Sequence, residues 1–483
     1  MSATPWVLWV AGSVAFLLVA LGMPLAIRGW QALGRKDREV SLRKVHIGEI
    51  PRVGGFVLML GFAIVAIRGL AGTTELSAAH EWFSRNPITG AVLGALICGG
   101  FGLFDDLVGL RARYKLIGQV IAATLAVFGF GLHWEALTAL LGPAAVLADP
   151  LTVLFLVAGV NAINLSDGLD GLAGGITAIG LTVVVLAAAS HGAAAVAVGW
   201  IAATALGAVL GFLLHNRHPA RVFMGDAGSY FLGFLLTALL LLVHPVRERV
   251  AIINLSIPLM VLALPLFDML LAILRRAARG QPIFAPDCDH IHHRLLARGL
   301  PHARVVQVLW LSAALFAGLA YLNVIGVGGW STLTGAAAAM IVVAVLLGYH
   351  NLLRRLPAFT GDHLLGLRDR RRQVMEILAA LDLLAASEAD REAPRWRRLT
   401  PELAPILVRL GVPGFEVRRG AEVVTRAGAD EGAWAWLSLP LPGSPGVELR
   451  LALAVRLPEL QPEQLMLLER ALAVLAGAPA GQR

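Results

Sequence analysis

Long stretches without a single charge dominate this chain and limit what it can fold into. About eleven apolar blocks of roughly 14–25 residues run near 6–27, 53–70, 88–104, 116–132, 151–166, 172–189, 193–214, 230–243, 250–274, 305–323 and 331–349. A helix needs about 20 apolar residues to cross a hydrocarbon core of ~30 Å. Lipid offers no partner to backbone N–H and C=O groups, so each block is predicted to be a helix. Composition agrees. Residues are 57% hydrophobic and 15% charged, whereas soluble domains average about 45–50% and 25%. The block from Trp6 to Ile27 reads as a retained first helix, because no basic region precedes it and no small-residue cleavage site is clear.

Orientation follows from Lys and Arg. The loops after the first, third, seventh and ninth blocks, with their flanks, hold about 18 of them, whereas the alternate loops hold only Arg68, Arg85, Arg247 and Arg249. The basic side is cytoplasmic, which puts the amino terminus outside and the carboxyl terminus inside. Retained cytoplasmic basic residues also account for the net charge of +8. No basic segment carries a nucleic-acid-reading motif, so no nucleic-acid partner is expected. Cys98 and Cys288 give neither a disulfide framework nor a CxxC zinc pair.

From about residue 350 the apolar blocks cease. Residues 367–388 have helical periodicity, Phe415–Arg418, Trp434–Leu439 and Val447–Val455 read as short strands, and Leu460–Leu475 reads as a closing helix. The expected architecture is an all-α polytopic membrane domain over residues 1–350 with about 11 spans. A small cytoplasmic α+β domain follows over 351–483.

The unusual polar residues all fall on the side already assigned to the cytoplasm. Ionisable groups near a membrane are functional candidates by default. Asp105 and Asp106 end the third block, and adjacent acids repel unless a cation is shared or one is protonated. Lys115 follows at the start of the next block, within reach of phosphate. Asn161, Asn164, Asp167 and Asp170 recur every third residue, on one broad helical face. Such hard oxygen donors suit Mg2+. Asp226 lies between glycines at a helix start, where it is either a plain N-cap or a metal and phosphate ligand. Phe223 could stack on a base or pack in the core. His290, His292 and His293, followed by Arg294, lack the Cys pair or HExxH of a zinc site and fit better as donors to a diphosphate. Asp268 is read as structural, paired with Arg275 or Arg276.

Taken together, Arg43-Lys44-Val45-His46, Pro51-Arg52-Val53-Gly54-Gly55, Asp105-Asp106, the blocks 161–172 and 224–229, and His290-Ile291-His292-His293-Arg294 resemble the polyprenyl-phosphate N-acetylhexosamine-1-phosphate transferase superfamily. The interrupted histidine run resembles its bacterial undecaprenyl-phosphate N-acetylglucosaminyl-1-phosphate transferase branch. The resemblance covers about Arg43 to Arg298. It implies transfer of a sugar-1-phosphate from UDP-N-acetylglucosamine, or a related UDP-N-acetylhexosamine, to undecaprenyl phosphate, with UMP released. It implies Mg2+, with Mn2+ as a substitute, held by Asp226 and Asn164. Asp105, Asp106, His292 and His293 would be catalytic. Lys44, Lys115, Asn161, Asp167, Asp170, Phe223, His290 and Arg294 would bind substrate, with Asp170 on uracil and Phe223 stacked on it. A homodimer is compatible with all of this. A muramoyl-pentapeptide phosphotransferase and a membrane transporter are the alternative readings. Against a transporter, the acids sit at one face rather than at the midplane.

Overall fold

The computed structural model describes residues 4–32, 50–72, 86–190, 195–243, 251–278 and 290–346, with four strands further on. Contacts divide the chain into two compact units, Met1–Arg355 and Leu356–Arg483.

The first unit is helical throughout its described residues. Its helices are α1 (Thr4–Ala32), α2 (Gly54–Gly72), α3 (Pro87–Val108), α4 (Ala112–Thr124), α5 (Glu135–Leu141), α6 (Ala148–Ser166) and α7 (Leu172–Ser190). There follow α8 (Val196–Asn216), α9 (Gly225–Leu241), α10 (Ala251–Val261), α11 (Ala263–Ala278), α12 (Ile291–Ala297), α13 (His302–Val324) and α14 (Trp330–Leu346). Among the described residues, six helices are long and apolar enough to cross a membrane, one of them running Glu135–Ser166. Three shorter apolar helices cover Gly54–Ile67, Gly225–Leu241 and Trp330–Val345. The chain is a multi-pass membrane protein.

The block expected at 250–274 is not a straight span. It bends by 79° between Val261 and Ala263. Pro265 has no N–H to give the carbonyl of Val261, so the helical ladder is interrupted where the bend falls. The block expected at 116–132 divides into α4 and a π-helical turn, Leu125–Gly129.

Packing is what membrane helices require. There is no water to expel, so small residues let backbones approach. A Cβ on Gly207 would collide with the backbone of Gly12, so α1 and α8 meet at van der Waals contact. At the centre stands α9, buried at every residue from Ala227 to Leu241. It is surrounded by α2, α3, α6 and α7. At 1.5 Å per residue it is about 26 Å long, so its first turn, with Asp226, reaches one end of the bundle. A helix apolar on every face belongs in such a position.

The described residues of the second unit are β1 (Gly414–Arg419), β2 (Glu422–Gly428), β3 (Ala435–Pro440) and β4 (Val447–Leu453). They form an antiparallel sheet in the order β2-β1-β4-β3, with a register shift at Val417/Arg418. Three of these strands fall on the expected segments. β2 was not foreseen. Its alternation is broken by Arg426 and by Gly428, which leaves only a short β-branched run. The helices expected at 367–388 and 460–475 lie outside the described residues.

Candidate active site

The amino-terminal end of α9 is the focus of the first unit. Gly225 sits at φ +67° and turns the chain into the helix. A Cβ on Gly102 of α3 would strike the carbonyl of Asp226, so α3 passes directly beneath that turn. From the other side, the amides of Gly54 and Gly55 donate to the carbonyls of Phe223 and Met224 at 3.1 and 2.9 Å, and the amide of Phe223 donates to Pro51 at 2.9 Å. Two motifs distant in sequence are thus one piece of backbone in space.

A helix start leaves amides without partners. Here they are satisfied from α3. Asp106 accepts the N–H of Asp226 at 3.0 Å and that of Ala227 at 2.9 Å, one on each carboxylate oxygen. Asp226 is therefore not the cap of its own helix, and its carboxylate is left for other partners. Lys115 supplies one. Its Nζ lies 2.9 Å from Oδ2 of Asp226 and 2.5 Å from Oδ2 of Asp105. Asp105 is also held by the amide of Leu110 at 2.5 Å. The repulsion expected between adjacent acids is resolved by separating them. Asp105 shares a lysine, while Asp106 faces the positive end of a helix dipole.

Asn164 of α6 completes the cluster. Its Nδ2 donates to Oδ1 of Asp226 at 3.0 Å and to Oγ of Ser229 at 2.9 Å. One turn earlier, Asn161 donates to Oε1 of Gln119 at 2.6 Å. The expected helical face ends there. Helix α6 stops at Ser166, and residues 167–171 form a turn in which Gly171 has φ +78°. Asp167 and Asp170 therefore do not continue the row, because Gly168 and Gly171 release the helix.

Asp167 is held above the usual carboxylate range by burial, and further by the negative charges of Asp226 and Asp106; Arg52 opposes the shift. The carboxyl groups of Asp105, Asp106, Asp167 and Asp226 gather near Lys115, and Arg52 acts on Asp106 and Asp167 with the opposite charge. The imbalance favours a divalent cation. The donors are all hard oxygens, the set that Mg2+ takes. The residues thus fit the metal implied for them.

Asp170 is placed differently. The resemblance implies a contact with uracil, but here its carboxylate, 1% exposed, faces inward. Oδ2 accepts Nδ1–H of His218 at 2.8 Å and the amide of Ala220 at 3.1 Å. His302 stacks on His218 with ring centroids 4.2 Å apart. Neither histidine stood out in the sequence, because each is a lone histidine beside a proline in a polar loop.

The histidine motif forms α12 and the residue before it. Asp268 caps this short helix from α11, accepting the amide of Ile291 at 3.1 Å while His290 donates to it at 3.1 Å. Asp268 thus holds the motif in place, a role its sequence position did not reveal. His292 is buried, its Nε2 makes no hydrogen bond among the described residues, and it lies against Gly168, where a Cβ would collide with the ring. Burial, then the neighbouring His293, lowers its pKa to about 3, so the ring is neutral. His293 and Arg294 are half-buried beside it. Lys44 lies outside the described residues.

A multi-pass helical protein with carboxylates, a carboxamide and a lysine converging at one end of the bundle has the composition of a phosphate-handling membrane enzyme. The profile of glycosyl transferase family 4 matches residues 88–244. A probable undecaprenyl-phosphate N-acetylglucosaminyl 1-phosphate transferase of Bacillus subtilis is 37% identical over 310 residues, 64% of this chain and 82% of that protein. A decaprenyl-phosphate N-acetylglucosaminephosphotransferase of Mycobacterium tuberculosis is 36% identical over 292 residues, 56% of this chain and 71% of its own length. The undecaprenyl-phosphate alpha-N-acetylglucosaminyl 1-phosphate transferase of Salmonella typhi is 28% identical over 316 residues, covering 63% and 80%. The chain belongs to glycosyl transferase family 4 and is a phospho-sugar transferase of the polyprenyl-phosphate superfamily that its motifs resemble.

Proposed function

We propose that this enzyme transfers N-acetylglucosamine-1-phosphate from UDP-N-acetylglucosamine to undecaprenyl phosphate at the cytoplasmic face of the bacterial inner membrane, releasing UMP. The observation that carries this reading is the convergence of Asp105, Lys115, Asn164 and Asp226 from four helices at one end of the bundle. The names of the relatives support the sugar and the lipid acceptor. With the three shorter apolar helices, the bent pair and α4, the long helices would make up the eleven spans expected. They would leave the site on the Lys- and Arg-rich side.

In this mechanism an oxygen of the lipid phosphate attacks the β-phosphorus of the donor, and the bond from that phosphorus to the bridging oxygen breaks as UMP leaves. Phosphoryl transfer of this kind asks mainly for alignment and charge neutralisation. Mg2+, held by Asp226 and the carboxamide oxygen of Asn164, would supply charge neutralisation on the diphosphate. Lys115, anchored between two carboxylates, is aimed where anionic oxygens collect. His293 and Arg294 would hold further phosphate oxygens as donors, with His292 fixing the loop against Gly168. Phe223 would stack on the base beside the turn 167–171. Asp105 faces the acceptor phosphate and orients it. A lipid phosphate is already largely ionised near neutral pH, so little proton removal is required. Asp106, with both oxygens engaged by α9, is a positioning residue.

The test is UMP release by purified protein given both substrates and Mg2+. Release that needs all three components and collapses in Asp226→Ala and Asp105→Ala is expected. Failure with every UDP-amino sugar tried would overturn the proposal.

A further inference from the structure

Away from the carboxylate cluster, Asp170, His218 and His302 each present a metal-ligating atom within 4.8 Å of the other two. They come from three separate segments: the turn after α6, the loop between α8 and α9, and the first residue of α13. The chemistry of the set differs from that of the oxygen cluster. Two imidazoles and one carboxylate are the ligands of zinc and its neighbours, whereas Mg2+ takes oxygen. Three protein ligands with one side open is also the pattern of a zinc ion that keeps a water.

The geometry is close to closure. Ligand atoms around a tetrahedral zinc at ~2.1 Å lie about 3.4 Å apart. His218 Nδ1 is already 2.8 Å from Asp170 Oδ2. The His218 side chain is 43% exposed and can turn, while Asp170 is fixed by the amide of Ala220. The bond from the amide of Asp170 to Nε2 of His302 is long, at 3.3 Å. Coordination would forfeit little by replacing it.

We propose that Asp170, His218 and His302 form a second metal site, for a zinc-class divalent ion, distinct from the Mg2+ of the transfer reaction. Its ion ties together the three segments that carry the transferase site. Asp170 lies in the same turn as Asp167, His218 lies five residues before Phe223, and His302 opens the helix that follows the histidine motif. Metal at this point sets the spacing of those loops.

Cobalt serves as the probe, because tetrahedral Co2+ absorbs strongly in the visible. Full-length protein without a polyhistidine tag is stripped with chelator and titrated with Co2+ in excess Mg2+. Wild type is expected to bind one equivalent with a tetrahedral spectrum that Zn2+ displaces. His218→Ala and His302→Ala should each weaken binding by more than about tenfold, the range that even an outer-shell partner controls. Asp170→Asn, which keeps an acceptor for Ala220, should weaken it too and guards against a folding artefact. Asp226→Asn should abolish UMP release and leave the cobalt spectrum intact, which separates this site from the Mg2+ reading. His292→Ala should also leave the spectrum intact. A wild type without the tetrahedral band, or a band unchanged in both His218→Ala and His302→Ala, would overturn the proposal.

Discussion

Asp106 separates two accounts of the adjacent acids, because its carboxylate accepts two amides of α9. Replacing it with Ala leaves two half-buried N–H groups without acceptors, at about 1–3 kcal/mol each. The total of about 2–6 kcal/mol falls on the turn that presents Asp226. An ångström of misplacement at a catalytic centre costs about 100-fold in rate. Asn at the same position keeps one carbonyl acceptor and loses the charge, so roughly half the penalty remains. Asp106→Asn should therefore lose about tenfold in kcat for UMP release and Asp106→Ala about 100-fold or more, at ~1.4 kcal/mol per factor of ten. Because Asp226 is displaced, half-saturation in Mg2+ should rise in the same order, and so should the loss of Tm in detergent. A base at this position would behave otherwise. Its removal by either substitution would abolish proton transfer equally and leave Mg2+ dependence and Tm alone. Equal loss in both variants, with unchanged Mg2+ dependence and Tm, would refute the positioning role.

Lys115→Ala removes the cation between Asp105 and Asp226 and should lower kcat about 10²–10³-fold, the usual effect of losing one transition-state charge partner; loss of binding alone would contradict its placement. Gly168→Ala forces a Cβ into the His292 ring and should lower both Tm and kcat, whereas the same change at Gly318, an exposed helical position with open space around a Cβ, should lower neither. The pKa of His292 is lowered to about 3 in the folded protein, against ~6.5 when unfolded. The unfolded chain therefore binds the extra proton, and stability falls as pH drops from about 6.5 towards 3, with a slope near 1.4 kcal/mol per unit. His292→Gln should remove that slope from the pH dependence of Tm. Truncation after residue 355 should leave UMP release unchanged, since every described site residue lies in the first compact unit.

The membrane class of this protein was legible in one dimension, because burial in lipid is a property of composition and block length. So were the candidates for the site. Acids, amides and histidines at the end of apolar blocks are costly unless used, and the block ends already placed them on one side. What the blocks could not reveal is which of those polar groups meet. Asp105 and Asp106 are neighbours in sequence with nearly the same chemistry. Only the path of α3 beneath α9 separates them, one onto Lys115 and the other onto two backbone amides. Asp170 likewise sits in the same short motif as Asp167 but is turned inward by the break at Gly171, towards histidines that lie 48 and 132 residues away. The bend in the α10–α11 pair and the cap that Asp268 provides for the histidine motif were hidden for the same reason. Hydrophobic pattern is a sum over local residues and survives in sequence. A hydrogen bond between helices depends on crossing angles and close glycine contacts, and those are decided only when the bundle packs.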